Sequence, residues 1–427
     1  MPEAHVEAAT IDLPWGAWHG DRRKRLLVPA GWQLRELPMA DAPALGDREI
    51  DCALDAPLNA PSLQTLAAGK RHAAIAIDDI TRPTRTAPLL RRLVDRLTAA
   101  GVPRQEITVI VATGAHGRAT ERDFQLKAGE LAGDVRVTSH DPAGDLASTG
   151  VSLGGVEVRL NRDFAEADLR IGIGSVMPHP FAGFSGGGKI VVPGLADLEV
   201  LSRTHRFALM GFRGGGALAG NRFRAEMEAA VARIGLHWTV NVAVNAGRDT
   251  AFVAAGDLVT AHRAAAAAAA RIGATPRRGA PLDALILNAY PKDSELLQLE
   301  SAFVALRNGM LGWLAPGAPV VLTGACPEGL GHHGLFGPGG GLFRVPLRRT
   351  FLGDHPLWIF APDLRETAVR MVFPDEYPFF DRWERLVDAL QRELRPDAAV
   401  GIVPCGPLQI AGSGRQSEPA AGSEVTR

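Results

Sequence analysis

The feature that most constrains this chain is an alternation. Short apolar runs recur between longer stretches of helical pattern: His72 to Ile77, Glu106 to Ala112, Ala167 to Ile173, Ala284 to Leu287, Pro319 to Thr323 and Ala398 to Val403. Between them, Ala87 to Ala100, Ala196 to Phe207, Arg222 to Ile234 and Leu258 to Gly273 read as helices. A helix between two strands returns the chain to the same end of the sheet, so the strands run parallel. The expectation is an α/β fold with largely parallel sheets flanked by helices. In such sheets ligands sit off the carboxyl ends of the strands.

With 427 residues, the chain is too long for one ordinary core. Thr275 to Pro281 reads as a linker, which divides the chain into two domains, 1–275 and 276–411, with the active site in the cleft between them. Residues 1–65 read as an irregular entry. Residues 412–427 are rich in Gly, Ser and Glu and read as a disordered tail. A helix is expected over Asp293 to Arg307.

The net charge of −1 and the lack of a long basic run leave no footprint for nucleic acid. Three scattered cysteines, Cys52, Cys326 and Cys405, fit neither a disulfide framework nor a cysteine-based zinc site and suit a reducing cytoplasm. No apolar run is long enough to span a bilayer, and no signal peptide is evident.

The chemistry gathers on loops. Met177 to Gly194 holds His179, Lys189 and a run of glycines whose bare backbone allows close approach to a ligand. A strand is expected to lead out of it over Ile190 to Val192. Gly183 to Lys189 fits the spacing of a phosphate loop, but Ile190 stands where a Ser or Thr would hold magnesium. Asp79-Ile-Thr-Arg82 follows a strand, and the planar fork of Arg82 matches a carboxylate. His116 lies in a Gly-flanked turn after the next strand. Two histidines on separate strand-end loops suggest a two-base reaction of the racemase or epimerase kind. His205 sits on an expected helix. His332 and His333 are adjacent, would point to opposite sides of any strand, and are assigned no role.

The order of these motifs resembles the nickel-pincer lactate racemase family. The matching elements are Asp79-Ile-Thr-Arg82-Pro, Thr113-Gly-Ala-His116, Asn161 to Asp168, Pro178-His179, Phe181 to Lys189, Pro193-Gly194, His205, Tyr290-Pro-Lys-Asp and Gln298. The resemblance implies a racemase or epimerase of a 2-hydroxy acid that works by reversible hydride transfer. It implies a nickel-pincer nucleotide tethered to Lys189, with nickel held by His205, and His116 and His179 as the two bases. Asp79, Thr81 and Arg82 match the cofactor pocket; Arg82 and Gln298 match the substrate contacts. Cofactor-synthesis proteins would be transient partners. Ser301 stands where the lactate enzymes carry a lysine, and Leu297 where they carry a tyrosine, so a 2-hydroxy acid other than lactate is expected. The competing class is a cofactor-binding protein without racemase activity, or a nucleotide-dependent enzyme using Lys189 as a phosphate ligand.

Overall fold

The structure is a computed structural model and describes residues 8–209, 215–343 and 346–412. The expected tail over 412–427 lies, apart from Gly412, outside these residues.

Two six-stranded sheets organise the chain. The first has the order Thr250–Gly256, Trp238–Val244, Leu169–Ser175, Ala73–Asp78, Ile107–Ala112, Arg136–Ser139. All its neighbours are parallel except the first pair, which is antiparallel. Ala73–Asp78 and Ile107–Ala112 are buried at every position, because helices cover both faces. Helix Ala87–Ala99 turns Leu89, Leu90, Leu93, Val94 and Leu97 inward. Each fully buried leucine contributes about 1.5–3 kcal/mol. Helix Thr260–Ile272 buries Ala261, Ala265, Ala268, Ala269 and Ile272; its small side chains let it lie close on the sheet.

The second sheet runs Phe379–Phe380, Leu357–Phe360, Val320–Thr323, Ala284–Asn288, Ala399–Val403, Gln33–Glu36, parallel throughout. Its last strand comes from the other end of the sequence. Of the expected irregular entry over residues 1–65, the described part, 8–65, contains regular strands and helices instead. Ala8–Trp15 and Arg22–Pro29 form an antiparallel hairpin whose Ile11, Leu13 and Trp15 share a core with Trp358 and Phe360 of the second sheet and with Trp383 of helix Trp383–Glu393. The alternation of Ile11, Asp12 and Leu13 was the available signal. The stretch 8–37 therefore packs with the sheet of the expected second domain, although it falls within the expected 1–275 unit. The expected linker also forms structure: Ala274–Pro276 pairs with Ile410–Gly412.

The turn Gly16 to Asp21 fastens the two halves. The Asp293 carboxylate accepts from the N–H groups of Gly16 at 2.8 Å and Ala17 at 3.1 Å. Trp18 Nε1 donates to the Arg82 carbonyl at 3.2 Å, and Asp21 pairs with the buried Arg248 at 2.5 Å. The helix expected over Asp293 to Arg307 is broken into Leu296–Leu299, a 3₁₀ turn Glu300–Ala302, and Phe303–Arg307. Its first residues serve the junction instead. Among the described residues no helix is long and apolar enough to cross a membrane.

Candidate active site

The carboxyl ends of the central strands face one cavity of about 1190 Å³, lined from both halves of the chain. Of the expected site residues, Asp79, Arg82, His116, His179, Lys189, His205 and Gln298 line it. Thr81 does not. Its hydroxyl donates to Asp79 Oδ1 at 2.5 Å and accepts from Arg82 Nη1 at 3.0 Å, so it braces two site residues from behind.

Asp79 follows the last residue of its strand and is 6% exposed. Burial alone would raise its pKa, but His116, Arg82 and the Thr81 hydroxyl hold the carboxyl well below the ordinary range. Its Oδ2 takes the Nδ1–H of His116 at 2.6 Å. That bond leaves His116 Nε2 with a lone pair; the Gln298 side-chain amide stands 3.5 Å from it.

His179 is arranged the other way. Its Nδ1 accepts from the backbone N–H groups of Phe181 at 3.1 Å and Ala182 at 3.2 Å, so its Nε2 carries the proton. Burial, with Lys189, Arg82, Lys292 and Arg224 nearby, pushes its pKa well below 6.5 and keeps the ring neutral. The two histidines thus present a proton acceptor and a proton donor.

Lys189 sits on the 3₁₀ turn Gly187–Ile190, where a strand over Ile190 to Val192 was expected. Val191 and Val192 are buried by packing rather than by strand pairing. Burial and the cations Arg82 and Arg224 lower the pKa of the amine to about 7. The glycines before it are crowded by protein rather than left open. At Gly187, whose φ is +58°, an added Cβ would stand 2.9 Å from His262; at Gly188, 2.8 Å from Met227. Asn241 Oδ1 accepts from the Gly187 N–H at 2.8 Å. A phosphate loop would offer such N–H groups to its ligand at the start of a helix, and this loop runs into a 3₁₀ turn instead. Arg224, 1% exposed, sews the loop down by donating to the carbonyls of Ala182, Phe184 and Gly186.

His205 lies on helix Leu198–Leu209. Its Nδ1 donates to the Leu201 carbonyl at 2.7 Å, which leaves Nε2 open, the form in which an imidazole ligates a metal. Burial lowers its pKa to about 4, against the pull of that carbonyl. Among the described residues no group of three or more His, Cys, Asp or Glu could hold a metal ion. A metal here would need most of its donors from elsewhere.

Three residues of the site escaped the sequence reading. His333 stands edge-to-face with His116, ring centroids 5.3 Å apart, and with His205 at 6.0 Å. It forms a single isolated bridge with His116 rather than lying on an extended strand, so the strand argument against His332 and His333 does not apply. Its Nδ1 accepts from Leu335 and Phe336 N–H at 3.2 Å. Lys292 follows the strand Ala284–Asn288 and is 8% exposed. Arg224 reads from sequence as one more charge on a helix.

A family model described as the lactate racemase N-terminal domain matches residues 19–213. The lactate racemase of Thermoanaerobacterium thermosaccharolyticum is 26% identical over 289 residues, covering 66% of this chain and 67% of that protein. The lactate racemase of Lactiplantibacillus plantarum is 26% identical over 292 residues, covering 67% of this chain and 68% of that one. The structure of the lactate racemase apoprotein from T. thermosaccharolyticum aligns with a TM-score of 0.72 at 21% identity, over 95% of this chain and 100% of that chain. A Thermotoga maritima protein aligns at 0.63 and 18% identity, over 86% and 98%. At these identities the structural matches speak for the fold.

Proposed function

Because this chain belongs to the lactate racemase family, we propose that it interconverts the stereoisomers of a 2-hydroxy acid in the cavity between its two sheets. The opposed hydrogen bonding of His116 and His179 supports this reading most directly. With Nδ1–H committed to Asp79, His116 Nε2 takes the proton of the substrate hydroxyl. His179, with its proton on Nε2, faces the same cavity as a donor, and in the reverse direction the two exchange parts. Arg82 anchors the carboxylate through its fork, and Gln298 holds the oxygen that His116 deprotonates.

The residues fit a nickel-pincer nucleotide. Lys189 offers an amine with a pKa of about 7 as the tether, and His205 offers a free Nε2 to nickel. Arg82, at the cavity wall, adds a positive charge that suits the negative charge of a nucleotide. When bound, that group would supply the acceptor for the substrate's α-hydrogen. Cofactor-synthesis proteins would be its transient suppliers. Cys52, Cys326 and Cys405 are free thiols, in keeping with a cytoplasmic home.

The test is a panel of 2-hydroxy acids, each supplied to loaded enzyme as one stereoisomer in heavy water and followed by chiral separation. Interconversion with the original hydrogen kept at the α-carbon is expected. Extensive deuterium there would overturn hydride transfer in favour of simple proton abstraction. No interconversion of any acid would overturn the racemase reading.

A further inference from the structure

Lys292 stands on the turn after the central strand of the second sheet, its N–H donating to the Ala289 carbonyl at 2.7 Å. It lines the cavity and is 8% exposed. Among the described residues its amine makes neither an ion pair nor a hydrogen bond, while every other lysine or arginine this deeply buried is tied down. Lys127 pairs with Asp78, Arg224 with Glu228 and Arg248 with Asp21. Asp79 is engaged by His116 and Thr81. Glu295 remains outside ion-pair distance of Lys292, with Oε1 buried and unpartnered.

A buried amine without a partner is costly, and the cost falls when an anion arrives beside it. Burial and Arg82 press the pKa of Lys292 well below its ordinary value, as expected for an amine whose counter-charge is missing. Two routes bring an anion into this cavity: the carboxylate of a 2-hydroxy acid, or the phosphate of a nucleotide. Position favours the first. Lys292 is six residues before Gln298 on the half of the chain that carries Ser301, and it faces Arg82 from the other half.

We propose that Lys292 and Arg82 clamp the substrate carboxylate from opposite halves of the cavity, Lys292 supplying the second cation that Ser301 does not. This rests on the racemase reading. The clamp takes only the α-carboxylate, so it leaves the remainder of the substrate to the Ser301 side of the cavity, where a missing lysine side chain makes room for an acid larger than lactate.

The test compares wild type, Lys292→Met and Lys292→Arg, each loaded with cofactor, on the best acid of the panel. Lys292→Met should raise KM roughly ten- to a hundred-fold with a much smaller change in kcat, and Lys292→Arg should recover part of the loss. The covalent mass addition and nickel content should match wild type. Calorimetric titration of the unloaded proteins with the same acid should show weaker binding by Lys292→Met, a readout independent of turnover. Should Lys292→Met fail to fold, Lys292→Gln takes its place. Unchanged KM and binding in active protein would overturn the clamp and leave the racemase reading standing. Loss of the mass addition would assign Lys292 to the cofactor phosphate and also overturn it. A wild type that racemises no acid would remove the racemase reading, and the clamp with it.

Discussion

An amine that is to form a bond must first lose a proton, and Lys189 is placed where that is easy. Burial and two neighbouring cations bring its pKa from 10.5 down to about 7. A lowered pKa means the neutral, nucleophilic form prevails above about pH 7 rather than only above pH 10. In unloaded protein, an amine-acylating reagent followed by peptide mass analysis should modify Lys189 with a half-maximum near pH 7, about three pH units below the side-chain amine of free Nα-acetyllysine in the same mixture. A Lys189 profile that tracks the free amine would refute the shift. At this scale the sequence picked out residues that the fold brings together: Asp79, Arg82, His116, His179, Lys189 and His205 all line the cavity. It assigned His333 no role and gave Lys292 none beyond its place in a matching motif, since no local pattern distinguishes a histidine or lysine that the fold turns inward from one left in water.

Elements hold these residues through a few buried charges. Lys127, on helix Glu121–Ala128, is fully buried and donates to Asp78 Oδ1 at 2.5 Å and the Thr84 carbonyl at 2.8 Å. Asp78 Oδ2 takes the Ser175 N–H at 2.8 Å. One lysine thus ties a helix to the strands Ala73–Asp78 and Leu169–Ser175, which lead to Asp79 and to the loop of His179. Lys127→Met would leave Asp78 charged and unpaired in the core. It should cost about 3–5 kcal/mol in denaturant unfolding, and Lys127→Met with Asp78→Asn should recover much of that. The alternation of apolar runs and helices was legible because parallel strands are buried on both faces and carry unbroken hydrophobic patterns. The strand expected over Ile190 to Val192 failed for a related reason. An apolar triplet is buried equally well in a tight turn, and periodicity cannot separate the two at that length. The hairpin Ala8–Trp15 and Arg22–Pro29 was obscured because its partner sheet lies far away in sequence.

For the molecule as a whole, buried histidines set a lower limit on the working pH. His140 is fully buried, with Nε2 3.1 Å from the Ala196 carbonyl and Nδ1 without a partner. Burial lowers its pKa from 6.5 to about 4. The unfolded chain therefore takes up a proton below about 6.5 that the fold refuses until about 4, so stability falls as pH drops across that window. The slope is at most about 1.4 kcal/mol per pH unit for this one residue. Denaturant midpoints at pH 7 and pH 5 should show the decline, and His140→Gln should lessen it; a midpoint equal at both pH values would contradict the account. Domain organisation was the least legible property, because a boundary drawn along the sequence cannot show that the chain returns. Gln33–Glu36 completes a sheet whose neighbouring strand is Ala399–Val403.

That return has a consequence for the making of the protein. A ribosome releases Gln33–Glu36 more than 360 residues before its neighbour Ala399–Val403. Throughout that interval the first hairpin waits with Ile11, Leu13 and Trp15 uncovered, since Trp358, Phe360 and Trp383 have yet to emerge. The first sheet, by contrast, closes once Thr250–Gly256 is out. Exposed apolar surface on a nascent chain invites association with other chains. The growing chain therefore carries a folded half and a sticky hairpin together, and a chaperone that shields the hairpin until its partner sheet emerges would decide how much of each synthesis ends as usable enzyme.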